Sequence, residues 1–240
     1  MCVKSSSNWQ PALLRGEALC KWAQATAELT VVQKMLEPRT GDTATEIASE
    51  ISNGMDLATE TSPVKGDRQC REGCPGCGHS RISVTVPEVC AIADSLREDR
   101  TPEEIDSIRR RAVEIAEESS GMDNTQFAKS MFWCPLLSSG LSCSVYPVRP
   151  LVCRAWNSLS RDRCHDCYFA NHVTDTIPLD EHAYTVVQGV RAGLSSAIDA
   201  AGLDGKSYEL SHALTVAIDQ PDAAKLWANG ENVFENCEWI

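Results

Sequence analysis

The chain has 240 residues, with 22 Lys and Arg against 34 Asp and Glu, a net charge of −12. That sign excludes a phosphate-backbone binder, and no basic run offers a local exception, so neither nucleic acid nor an anionic membrane is an expected partner. No stretch is apolar for long enough to cross a bilayer.

The first ten residues, Met1 to Gln10, show no apolar leader segment, and the expected location is cytoplasmic. Leu14, Ala18, Trp22, Ala25, Leu29, Val32 and Leu36 then recur every three or four residues, which predicts a helical face packed on a core or a partner and ended by Pro38. This is an N-terminal helical unit over 1–37. Residues 38–68, rich in Thr, Ser, Glu and Asp and punctuated by Pro and Gly, read as a flexible linker with one short helix on Ile47, Ile51 and Met55.

A Cys-rich metal-binding domain is expected over 69–177. Within it, Ile82 to Val86 alternates like a short strand, and Pro87-Glu88 opens a helix to about Arg97. Thr101-Pro102-Glu103-Glu104 is a helix start with a capping box, and Ile105, Ile108, Ala112 and Ile115 share the face that follows. Residues 131–179 have no clean period and read as loops and short turns around metal. C-terminal helices over 178–240 are expected to pack on this domain. One is capped by Asp180 and carries Tyr184, Val187, Arg191, Leu194 and Ile198. A second is marked by Leu210, Leu214 and Ile218, and a short one by Leu226 and Trp227. The fold class is mainly α, a small helical domain with an irregular Cys-rich loop region organised around metal.

Twelve cysteines in a reducing compartment point to metal rather than disulfides. Eight cluster: Cys70, Cys74 and Cys77, then Cys134, Cys143 and Cys153, then Cys164 and Cys167. The other four, Cys2, Cys20, Cys90 and Cys237, read as buried residues or bystanders near the termini. Tight turns aim successive sulfurs at one ion, and Gly73, Gly76, Gly78 and Pro75 suit such turns. Two groupings compete. Cys74/Cys77 with Cys164/Cys167 make two knuckles for a tetrahedral zinc. Cys70, Cys74 and Cys77 with a remote partner such as Cys134 suit an iron–sulfur cube, which the three-close-plus-one-remote spacing favours. Arg149 and Arg154 are candidate donors to the cofactor's sulfurs. Arg161 and Arg163 read as solvated charges, and His165 and His172 as residues beside the metal rather than on it. His182 and His212, on helices, read as structural. No Ser-His-Asp set, phosphate loop or paired carboxylates accompany the thiols.

Across residues 68–170 the chain resembles the YkgJ-like family, a zinc- or iron-chelating family with a CxxCxxCC motif. The matching residues are Cys70-x3-Cys74-x2-Cys77, Cys134-Pro135-Leu136-Leu137 and Cys143-Ser144-Val145-Tyr146-Pro147-x-Arg149-Pro150-x-x-Cys153-Arg154. The resemblance implies metal binding by cysteine, with either metal. It also marks a departure: the family often closes its first motif with a cysteine pair, where this chain has Gly78, so His79, His165, Cys164 or Cys167 becomes the replacement candidate. The Cys-x3-Cys-x2-Cys spacing also occurs in radical S-adenosylmethionine enzymes. Those carry an aromatic residue where this chain has Gly76, and they need a strand–helix alternation absent here.

Three functions follow as expectations. The first is an iron–sulfur protein with a redox, metal-handling or accessory role. The others are a zinc-stabilised module that binds a protein partner, and an iron–sulfur enzyme that modifies a protein or small molecule, with S-adenosylmethionine as its candidate cosubstrate.

Overall fold

A computed structural model of the chain describes residue 11 and residues 13–71, 73–169 and 177–237. It is mainly helical, as the periodicity predicts. In chain order the helices are α1 (Gly16–Met35), α2 (Thr43–Thr59), α3 (Val86–Asp99), α4 (Pro102–Ser119), α5 (Asn124–Ser130), α6 (Leu151–Ala155), α7 (Arg161–Phe169), α8 (Glu181–Ala200), α9 (Leu210–Asp219) and α10 (Ala223–Ala228). Two short strands, β1 (Ser83–Thr85) and β2 (Ser207–Glu209), pair antiparallel with Val84 opposite Tyr208. No described helix is long and apolar enough to cross a membrane.

The predicted starts are where the capping chemistry puts them. Thr101 Oγ1 accepts from the Glu104 amide, and the Glu104 carboxylate accepts from the Thr101 amide at 2.9 Å. Asp180 Oδ1 accepts from the His182 and Ala183 amides at 3.0 and 3.1 Å. Burial alone would raise the Asp180 pKa, but the hydrogen bonds from Ser62 and Ala183 and the Arg68 guanidinium hold it below the usual carboxylate value.

Two expectations are corrected. Residues 43–59 are not a linker segment with one short helix. They form a 17-residue helix that buries Ala44, Ile47, Ile51, Met55 and Ala58 in the core. Polar residues between those positions occupy its outer face, which is why the composition reads as linker. In α1 the helix is as expected but the buried face is not. Leu19, Ala23, Thr26, Ala27, Thr30 and Val31 point inward, while Ala18, Ala25, Leu29, Val32 and Leu36 are exposed. The cause is the partner helix. Gly189 and Gly193 of α8 lie directly against the Cys20 and Gln24 carbonyls and the Ala23 and Ala27 side chains, so α1 must offer small residues there.

The frame positions the Cys-rich segments. Glu88 of α3 is buried, accepts from the Thr85 amide and hydroxyl at 2.8 Å each, and accepts from the Leu151 amide at the start of α6 at 2.7 Å. Arg100 donates to the Ser144 carbonyl at 2.9 Å and Arg111 to the Pro135 carbonyl at 2.7 Å. Three charged side chains of the helical scaffold thus grip the loops that carry Cys134, Cys143 and Cys153.

Candidate metal centre

Four segments converge on one cavity of about 130 Å³. Cys70 and Cys74 flank a turn in which Gly73 has φ +82°, a backbone state that only glycine adopts without strain. Cys77 lies in a 3₁₀ turn, Gly76–His79. Cys134 and Cys143 are brought together by a small loop closed by a bridge between Leu137 and Cys143 and by the Ser144 amide donating to Leu136 O at 2.8 Å. Its tip needs Leu141 at φ +60°. Cys153 sits on α6, and Cys164 on α7.

Seven of the eight clustered cysteines, Cys70, Cys74, Cys77, Cys134, Cys143, Cys153 and Cys164, line this cavity. Cys167 does not. The expected knuckle at Cys164 and Cys167 is a stretch of α7, not a turn. Cys167 is buried on a neighbouring groove with Val152, Ala155 and Trp156, so the two-knuckle zinc grouping is not formed. No disulfide links any of the described cysteines.

Arg149 lies on the cavity wall, stacked 4.0 Å above the Tyr146 ring. Arg154 does not reach it. Its buried guanidinium donates to Asp56 Oδ2 at 2.6 Å, to Arg149 O at 3.0 Å and to Pro147 O. It braces the 147–149 turn from outside rather than facing a cofactor. His79 is also turned away, its ring 2.9 Å from the Phe132 carbonyl and tilted against the Trp133 ring, and lines the Cys167 groove. His165 is exposed, beside Asp166. Neither histidine replaces the cysteine the resemblance expects at Gly78. That space is filled instead: a Cβ on Gly78 would stand 2.6 Å from Leu137 Cδ1. His172 and Cys2 lie outside the described residues.

Sequence reasoning missed Trp156, Asn157 and Ser158. The Cys70 thiol donates to the Trp156 carbonyl at 3.0 Å, and the Ser158 amide donates to the Cys70 sulfur at 3.1 Å. Their position between Cys153 and Cys164 is the only signal, and ligand spacing does not read it.

The strong metal ligands on the cavity wall are cysteine sulfurs, beside the weaker side-chain oxygens of Tyr146, Asn157 and Ser158. Among the described residues lining the cavity there is no carboxylate and no imidazole, which suits a soft metal and not calcium or magnesium. Burial, reinforced by neighbouring cysteines, pushes the Cys77 thiol up to about 11. Burial pushes Cys134 up to about 12 and Cys153 well above its ordinary value. Crowded sulfurs in a half-buried cavity cannot all carry charge alone; a bound cation reverses that balance. Among the described residues, no group of three or more Cys, His, Asp or Glu is placed so that it could hold a metal ion as it stands. The sulfurs stand around the walls of a space roughly four times the ~30 Å³ share of one water. No family model, curated protein or solved structure matches the chain.

Proposed function

We propose that the chain is a cysteine-ligated metal-binding protein of YkgJ-like type, its cavity suited to an iron–sulfur cluster, with a redox, metal-handling or accessory role. The observation that carries this reading is the convergence of seven thiols on one cavity wider than a single ion requires. Cys77, Cys134, Cys143 and Cys153 would supply the deeper ligands and Cys70, Cys74 and Cys164 those nearer the mouth. When bound, a cluster supplies electron-transfer chemistry whose potential is set by hydrogen bonds to its sulfurs and by charge. Here the Ser158 amide donates to the Cys70 sulfur, Arg149 adds positive charge, and Ile82, Leu137 and Trp156 help to exclude water.

Anaerobic purification, followed by metal and sulfide analysis and a visible spectrum, tests this. The expected result is a brown protein holding iron and acid-labile sulfide. A colourless protein with stoichiometric zinc and no iron would sink it and favour a second reading, a zinc-stabilised interaction module. The observation behind that second reading is the exposed row of Leu29, Val32 and Leu36 along α1.

A further inference from the structure

We propose that the groove beside the thiol cavity is a binding site for a small organic monocarboxylate with an apolar or aromatic body, its carboxylate held by Arg191 of α8. Such a site needs no metal in the thiol cavity.

The groove encloses about 600 Å³, within the roughly 300–1,000 Å³ of small-molecule sites. Tyr184, Gln188 and Arg191 recur at helical spacing along α8 and all line it, so one face of that helix forms a wall. Val152 and Ala155 of α6, Trp156 just after it, and Ile177 and Leu179 supply apolar lining. Trp156 also lines the thiol cavity, so the two spaces meet at that side chain. The chain carries a net charge of −12, yet none of the described residues lining the groove is Asp or Glu. Arg191 is half-buried, and its guanidinium donates to Ser83 Oγ at 2.8 Å, a neutral partner. Among the described residues it makes no ion pair. A partly desolvated charge without a counter-charge is costly, and an anion that reaches it offsets that cost. Arg81 lines the groove too, but its Nη1 donates to the Met122 carbonyl at 2.7 Å and its guanidinium lies 5.4 Å from the Phe127 ring centre. One guanidinium without a counter-charge suits a single negative charge, and its planar fork matches a carboxylate. A phosphate dianion would ask for a second cation. The apolar lining calls for an apolar body behind the acid.

The test is saturation-transfer NMR titration of the full chain as isolated with phenylacetate, indole-3-acetate and octanoate, each beside its neutral amide. At least one acid is expected to bind, and its amide more weakly by about tenfold or more, the loss of one charge-assisted contact. Arg191→Gln should weaken that acid by about the same factor and leave the amide unchanged. Tyr184→Glu, at an exposed position on the same helix face, should also weaken the acid by setting a carboxylate beside it, and it serves if Arg191→Gln fails to fold. Equimolar inorganic phosphate should not displace the acid. Binding of no acid, equal binding of acid and amide, displacement by phosphate, or a folded variant that binds the acid like the wild type would each overturn the proposal. An acid held by a metal in the thiol cavity would show itself as the last of these.

Discussion

Gly78 has only hydrogens on its Cα, and Leu137 uses the room. A Cβ there would lie 2.6 Å from Leu137 Cδ1, closer than carbons approach, although a terminal methyl can partly yield. Gly78→Ala is therefore expected to destabilise the protein by about 1 kcal/mol, the low end of overpacking costs. Combining it with Leu137→Ala should recover most of that penalty, a coupling that a denaturant-titration double-mutant cycle measures. The two arginines of the motif show how far a single residue can be read. Both read as donors to sulfur from the sequence. Arg149 does reach the cavity wall, but Arg154 is claimed by Asp56, a residue of the segment that reads as linker. The pairing depends on α2, which carries Asp56 to the Arg154 guanidinium.

Helix α1 meets α8 along a seam of small residues, and the seam explains which part of the elements was legible. Helix existence and caps follow from local chemistry, so the starts at Thr101 and Asp180 were readable. The buried face of α1 was not, because close helix approach selects for small size over hydrophobicity, and Ala23, Thr26 and Ala27 rank below Leu29 and Val32 on any apolar scale. A Cβ on Gly189 would run into the backbone carbonyl of Cys20, which cannot rotate away. Gly189→Ala should cost about 3 kcal/mol, at the upper end for overpacking, and lower the thermal midpoint measured by circular dichroism. The same change at Gly202, where nothing is close but φ is +73°, would act through backbone strain instead.

For the molecule as a whole, the thiols make the stripped protein sensitive to alkali. Buried Cys77 and Cys134 lie at about 11 and about 12, above an ordinary value of 9.0. A folded pKa raised above the unfolded one contributes stability that is complete below the unfolded value and lost as pH rises through the folded value. The metal-free protein should keep its thermal midpoint up to about pH 9 and lose it progressively toward pH 12. If the thiols bind metal as proposed, the loaded protein, its thiols deprotonated by the metal, should show a flatter profile, and its metal affinity should rise with pH. At this scale the sequence showed that cysteines cluster but not how they divide. Cys164 and Cys167 look equivalent in spacing and are separated only by the register of α7. The grips of Glu88, Arg100 and Arg111 have one more consequence. Drawing together sulfurs as far apart in sequence as Cys77 and Cys134 costs loop entropy. In this protein ordinary hydrogen bonds to Leu151, Ser144 and Pro135 already bear that cost. If the cavity takes a metal, as proposed, its delivery can therefore come after folding, through the side where Cys70 is exposed, onto walls already in place.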